Sequence, residues 1–176
     1  MARDHSRWTY TWSLKVCAAA AKGGHLSALE WLRDHGCPWD ARTCAAAARR
    51  GHLGLLWWAR ARGCPWDEAT SAALAANAHE TDLKRAIEQG CPYGAKTCRQ
   101  AAGAGHLHIV QWLRSIGCAW DVHTCADASV RGHISVIEWA VADGCPFKVA
   151  LCQTSAAAAG QLETLEWLIR PTWINC

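Results

Sequence analysis

Thr43-Cys44-Ala45-Ala46-Ala47-Ala48-Arg49-Arg50-Gly51-His52-Leu53-Gly54-Leu55-Leu56-Trp57-Trp58-Ala59-Arg60-Ala61-Arg62-Gly63-Cys64-Pro65-Trp66-Asp67 decides how the chain folds. Asp40 or Thr43 can cap a helix that begins there, because a short side-chain oxygen accepts a hydrogen bond from a free backbone N–H. Cys44-Ala45-Ala46-Ala47-Ala48 follows, a run of small and mostly strong helix formers that lets a neighbouring helix come close. Gly51 ends the helix and His52 begins the turn. Leu53, Leu56 and Ala59-Arg60 then repeat at the spacing of one apolar helical face, predicting a second helix over about 53–62. Gly63 stops that helix, and Cys64-Pro65-Trp66-Asp67 forms the return loop, since proline cannot continue it.

Working outward, the same pattern recurs. Gly-Cys stands at Gly36-Cys37, Gly63-Cys64, Gly90-Cys91, Gly117-Cys118 and Gly144-Cys145, with a step of 27 residues throughout. Gly-His recurs in phase at Gly24-His25, Gly51-His52, Gly105-His106 and Gly132-His133, with Ala78-His79 and Gly160-Gln161 as variants; the last step is 28. A second cysteine column runs Cys17, Cys44, Cys98, Cys125 and Cys152, with Ser71 in the gap. The period divides the chain into six units at 13–39, 40–66, 67–93, 94–120, 121–147 and 148–170. They are preceded at 1–12 by a cap or truncated unit and followed by a C-terminal end at 171–176, where Pro171 stops the final helix. A unit of this size cannot bury its apolar face alone, so the units must stack around one core. The expected fold class is all-α: a solenoid of helix–turn–helix repeats.

Composition excludes several classes. The 176 residues are 51% hydrophobic and 19% charged, which supports a packed core and not a disordered tail. No run of eighteen apolar residues is present to span a membrane, and the first residues lead into no secretory signal. A net charge of +3 gives no argument for nucleic acid. Residues 1–63 carry a balance of +6 and residues 64–176 one of −3, a polarity that either orients a partner or is a random spread of surface charge. Eleven cysteines, an odd count in a chain without an export signal, point to a reducing, cytoplasmic setting with thiols packed as small apolar groups.

Ala47-Ala48-Arg49-Arg50-Gly51-His52-Leu53 followed by Gly63-Cys64 resembles the ankyrin repeat, as do Ala20-Ala21-Lys22-Gly23-Gly24-His25-Leu26 and Ala101-Ala102-Gly103-Ala104-Gly105-His106-Leu107. The resemblance covers about residues 13–170. It departs from the family in the 27-residue unit, against the usual 33, and in Thr-Cys-Ala-x replacing the Thr-Pro-Leu-His box. The missing residues fall between units, so the resemblance implies an ankyrin-type solenoid with shortened inter-repeat hairpins. The Cys-Pro-Trp-Asp-rich short unit also looks, more loosely, like arrays of large DNA viruses and some protists, which would make the compartment a host or cell cytoplasm. The family's pattern places Cys37 at a core alanine position and Cys44 at a core leucine position, and has its Gly-His histidines tie loops together by hydrogen bonds.

Other chemistry finds less support. Structural zinc wants four converging ligands, usually in part from Cys-x-x-Cys or His-x3-His pairs, and neither occurs. A Cys–His nucleophile needs one thiol singled out, whereas both residues are reiterated here. No phosphate-binding Gly-x-x-x-x-Gly-Lys-[Ser/Thr] is present. No catalytic residue, metal ligand or cofactor is therefore expected. Trp31, Trp58, Trp112, Trp139 and Trp167 hold one column of the second helix, and Trp39, Trp66 and Trp120, with Tyr93 and Phe147, hold one column of the loop. Columns this regular read as core and inter-unit packing. Trp57 differs, because its siblings are Glu30, Lys84, Gln111, Glu138 and Glu166. It is either an exposed binding hot spot or a ring leaning onto Arg85, which replaces the next column tryptophan. The unit containing Ser71, Ala78, Glu80, Asp82 and Arg85 has polar residues where its siblings are apolar. It is either a hinge or specialised contact near 71–90, or drift tolerated by shared stability.

In ankyrin-like stacks the two free positions after Ala-Ala and the loop tips line the concave face. Carried over, the candidates are Lys22, Arg49, Arg50, Asn77 and Arg131 on first helices, and Arg42, Glu68, Lys96 and His123 at loop tips, with Trp57 added as the odd aromatic. Arg49 and Arg50, adjacent to Lys22, would receive an acidic segment of a partner protein. The expected function is a monomeric protein-binding scaffold or adaptor without nucleic-acid or membrane partners. The alternatives are a spacer within a longer array and a thiol- or metal-dependent protein.

Overall fold

A computed structural model describes residues 12–170. Apart from Trp12, the N-terminal segment at 1–12 and the C-terminal end at 171–176, including the Pro171 stop, lie outside the described residues. Among the described residues there are twelve helices and no strand, arranged as six pairs. They are α1 (Leu14–Gly23) with α2 (Leu26–Asp34), α3 (Ala41–Arg49) with α4 (Leu53–Ala61), and α5 (Glu68–Ala76) with α6 (Glu80–Glu88). The remaining pairs are α7 (Ala95–Gly103) with α8 (Leu107–Ser115), α9 (Val122–Val130) with α10 (Ile134–Ala142), and α11 (Val149–Ala158) with α12 (Leu162–Ile169). One pair occupies each unit, and the inserted residue lengthens α11 to ten residues.

The first helices begin where the sequence supplies a cap. Asp40, Asp67 and Asp121 are extended N-cap residues whose carboxylates accept from the N–H groups of Arg42 (3.0 Å), Ala69 (3.0 Å) and His123 (2.9 Å). The turn between the helices of a pair runs through a left-handed residue, Gly24 at φ +73° and Gly105 at φ +79°. Glycine is needed there twice over. A Cβ on Gly24 would also lie 2.6 Å from the ring of His52, and one on Gly105 2.7 Å from that of His133. Ala78 fills the same place at φ +57° and bears a strain of about 1 kcal/mol for its Cβ.

Packing divides the chain into two compact units, 1–65 and 66–176. In the first, α1 lies against α3, and each first helix lies against its own second helix. Its core consists of Leu29, Leu32, Leu55 and Leu56 with the buried thiols of Cys17, Cys37, Cys44 and Cys64. In the second, α5, α7, α9 and α11 pack in succession, each backed by its second helix, around Leu74, Leu83, Ile109, Leu113, Ile137 and Leu168. Each such aliphatic side chain contributes roughly 1.5–3 kcal/mol by leaving water. Fully buried alanines, Ala47 and Ala48 on α3 and Ala101 and Ala102 on α7, keep neighbouring first helices close. The histidines lace successive repeats together: a ring nitrogen of His106 lies 3.1 Å from the carbonyl oxygen of Ala76, and His133 hydrogen-bonds the backbone of Gly103.

The tryptophan columns pack between repeats as expected, but they do not form the core. Trp31 is 48% exposed, and Trp58, Trp112, Trp139 and Trp167 are half-buried. The aromatic columns instead meet edge to face along the outer side, with Trp12 on Trp31 at 6.2 Å between centroids, Trp39 on Trp58 at 6.1 Å, and Trp120 near Trp139 at 5.9 Å. An arginine column holds them. Arg33 lies 4.2 Å from the centre of the Trp39 ring, and Arg114 4.0 Å from that of Trp120. The same guanidinium donates to the carbonyl of the loop cysteine, from Arg33 to Cys37 and from Arg114 to Cys118, as Arg60 does to Cys64 at 3.1 Å. Recurrence of Arg33, Arg60 and Arg114 at multiples of 27 was the signal for this clamp.

The divergent repeat at 67–93 is re-paired. Glu80 sits where its siblings are half-buried or exposed and not core, so a charge there costs little. It pairs with Lys84 at 2.6 Å and with His108 at 3.4 Å, and Lys84 lies over the Trp112 ring. Ser71 donates to the carbonyl of Pro92 at 2.7 Å, and Leu83 and Ala86 remain fully buried.

Candidate functional site

The first helices present different surfaces in the two units. On α1 and α3, Lys22, Arg49 and Arg50 are exposed at the C-terminal ends. Neither helix contains a carboxylate, and Asp40, the cap residue of α3, is taken by Arg42. Cations at the end of a helix complement its dipole, so this placement is favourable locally.

In the second unit, α5, α7 and α9 enclose a cleft of about 330 Å³. Arg99, Gln100, Asp127 and Arg131 line its polar side, while Ala76, Gly103 and Val130 supply small or apolar surface. Arg99 and Asp127 are joined at 2.9 Å, and Gly103 gives Asp127 room, since a Cβ there would come within 3.3 Å of the Asp127 Cβ. Arg99 and Asp127 were missed in the sequence. Their signal was a charge in each of two columns otherwise filled largely by alanine: Ala18, Ala45, Ala72 and Ala126 for the first, and Ala19, Ala46 and Ala73 for the second.

Not every candidate stands ready for a partner. Arg42 forks onto its own cap, Nε to Asp40 Oδ2 at 2.8 Å, and that hydrogen bond holds the Asp40 carboxyl below its ordinary value. Glu68 has a structural job. Gly94, the N-cap of α7, has no side chain, and Glu68 Oε1 reaches across to accept from the Lys96 N–H at 3.0 Å. It caps a helix in the next repeat. Lys96 and His123 keep exposed side chains in their helix first turns, and Asn77 is exposed at the end of α5. Arg131 both ends α9 and lines the cleft. Trp57 is half-buried on α4 and engaged in a contact, so the isolated exposed indole is not found there. The structure thus brings Arg131 beside Arg99, and Glu68 beside Lys96.

The fold can be compared directly. A crystal structure of the human ASB11 ankyrin repeat domain superposes with a TM-score of 0.60 and 15% identity, covering 86% of this chain and 81% of that one. The chain has the ankyrin-repeat fold. Its ankyrin-type repeats carry the helix pairs and, among the described residues, loops without strands between them. A pentatricopeptide repeat protein, PPR10, solved with an 18-nt psaJ RNA element, gives a looser likeness: TM-score 0.48, 16% identity, 87% of this chain and 28% of that chain. No protein-family model and no curated protein matches the sequence. Among the described residues no helix is long and apolar enough to cross a membrane.

Proposed function

We propose that the chain is a protein-binding scaffold whose first-helix surface receives an acidic segment of a partner protein, and that it works by binding and not by catalysis. One observation carries this reading: Lys22, Arg49 and Arg50 are exposed together on two helices that hold no carboxylate. Arginine on a rigid helix end loses little freedom on pairing with a carboxylate, so exposed guanidinium groups there favour an anionic partner. Taken by itself, the second unit offers in the cleft beside Arg99 and Arg131 a guanidinium already oriented by Asp127.

The test is affinity capture with mass spectrometry, followed by titration of the captured partner. Arg49→Glu with Arg50→Glu should weaken binding by about tenfold or more, and raised salt should weaken the native complex. Circular dichroism should show unchanged helix content. Equal binding by the double variant, or capture abolished by nuclease treatment, would refute the reading.

A further inference from the structure

The sulfur atoms of this chain are not scattered through its core; they meet in pairs. Cys17 Sγ lies 3.4 Å from Cys37 Sγ, and hydrogen bonds likewise join Cys44 to Cys64, Cys98 to Cys118 and Cys125 to Cys145. Each pair links the first helix of a repeat to the return loop 20 residues later, inside one repeat. The loop sulfur also faces the carbonyl that heads the same first helix, at 3.5 Å for Cys64 and Asp40, 3.2 Å for Cys118 and Gly94, and 3.6 Å for Cys145 and Asp121. All are free thiols and all are buried. Two repeats break the rule. Ser71 puts a hydroxyl in the first-helix column of the repeat that holds Cys91, and no cysteine follows Cys152 at the loop position, where Pro171-Thr172-Trp173 stand.

Packing alone asks only for small apolar groups, and alanine would serve. Sulfurs that meet as partners in each of four repeats do more: in the 17–37 pair a small torsional movement brings them from 3.4 Å to the roughly 2.05 Å of a bond. We propose that these four pairs are oxidative modification sites that take a small, uncharged hydroperoxide and form the intra-repeat disulfides 17–37, 44–64, 98–118 and 125–145. The loop thiolate attacks the peroxide oxygen. The O–O bond breaks, a sulfenic acid forms, and the leaving oxygen departs as water or an alcohol after taking a proton. The first-helix sulfur, losing its proton, then attacks the sulfenic sulfur; the S–S bond forms and the hydroxyl leaves as water. Two thiols are oxidised by two electrons and one hydroperoxide is reduced, so the step balances.

Several features assign the roles. The hydrogen bond from the first-helix thiol holds Cys64, Cys118 and Cys145 below the ordinary thiol range, which favours them as the first nucleophile. The same bond, with burial, pushes Cys98 and Cys125 up, and burial with the Cys37 contact pushes Cys17 to about 12. Burial beneath the loop excludes bulky or charged oxidants, so reaction waits on brief opening of the Gly-Cys turn. The bond would tie each first helix to its own return loop and leave the outward cations untouched. The inference is therefore independent of the binding reading.

The folded chain is treated with hydrogen peroxide, remaining thiols are blocked by alkylation, and peptides are mapped by mass spectrometry. The expected result is those four disulfides, each two hydrogens lighter than its reduced pair, reversed by dithiothreitol, with Cys91 and Cys152 recovered alkylated. A melting temperature raised by oxidation and restored by reduction should accompany them. Bonds between repeats, over-oxidation without bonds, or full recovery of thiols where the denatured chain oxidises would overturn it. Ser71→Cys supplies the missing sulfur. It should add a fifth bond, 71–91, and its absence in a folded variant that forms the other four would overturn the rule that column position decides pairing.

Discussion

Before Pro65, helices α1 and α3 expose Lys22, Arg49 and Arg50 and hold no carboxylate of their own; after Trp66, helices α7 and α9 oppose Arg99 to Asp127 across a cleft. The frame beneath is the same in both units. Aspartate caps start first helices at Asp40, Asp67 and Asp121, a left-handed residue turns each pair, and thiols meet within repeats. The comparison teaches that frame and surface are separate in this fold. Residues repeated at 27 hold the helices, while those breaking the repeat decide what the surface can attract. The breaks also interact. Gly94 lacks a cap and Glu68 provides one; Glu80 intrudes and Lys84 answers it.

The largest effect expected tests whether the two units share one frame energetically. Leu56→Ala in the first and Leu113→Ala in the second each empty a fully buried site, and each should cost about 3 kcal/mol in urea unfolding. A much smaller cost in one unit would mean that its packing relaxes around the cavity. A medium effect tests the borrowed cap: Glu68→Ala should cost about 1 kcal/mol by stripping the Lys96 N–H of its acceptor. Gly94→Asp, which restores the cap found in the sibling repeats, should recover most of that loss in the same background.

The smallest effect concerns pH. Burial first, then Arg131 and His106, push His133 below its ordinary value of 6.5, while its hydrogen bond to the Gly103 backbone opposes them. A depressed histidine folds best neutral. Its contribution is present above the unfolded value and is lost as pH falls through the folded value. Thermal melts should therefore show stability declining as pH drops below about 6.5, partly through this residue. His133→Gln, which copies the Gln161 of the last repeat, should keep a hydrogen-bonding side chain and flatten that part of the profile. An unchanged slope would place the titration elsewhere.

Much of this was legible in the residues. Cys44-Ala45-Ala46-Ala47-Ala48, Gly51-His52 and Cys64-Pro65 marked both helices and both turns of a unit, because caps, small-residue runs and breakers act within a few positions of themselves. The observed α3 at Ala41–Arg49 and α4 at Leu53–Ala61 follow that reading closely. The exposure of Lys22, Arg49 and Arg50 was legible for the same reason: their columns break the apolar pattern. Glu68, Arg99 and Asp127 were harder, because the meaning of each depends on a residue about 28 positions away. The tryptophan columns misled because regular spacing reports that a position is structured and does not report which side of the helix pair faces water.

Periodicity by itself determined the repeat, its two helices, its turns and the count of units, since these depend on local backbone preference and a face that cannot be buried alone. Only the tertiary structure decided which side chains meet: the thiol pairs and the arginine clamps on tryptophan within a repeat, the cap lent by Glu68 and the cleft at Arg99 between neighbouring repeats. Those contacts arise where separate turns of chain are brought within a few ångströms, and a linear spacing carries the register of such meetings but not their direction.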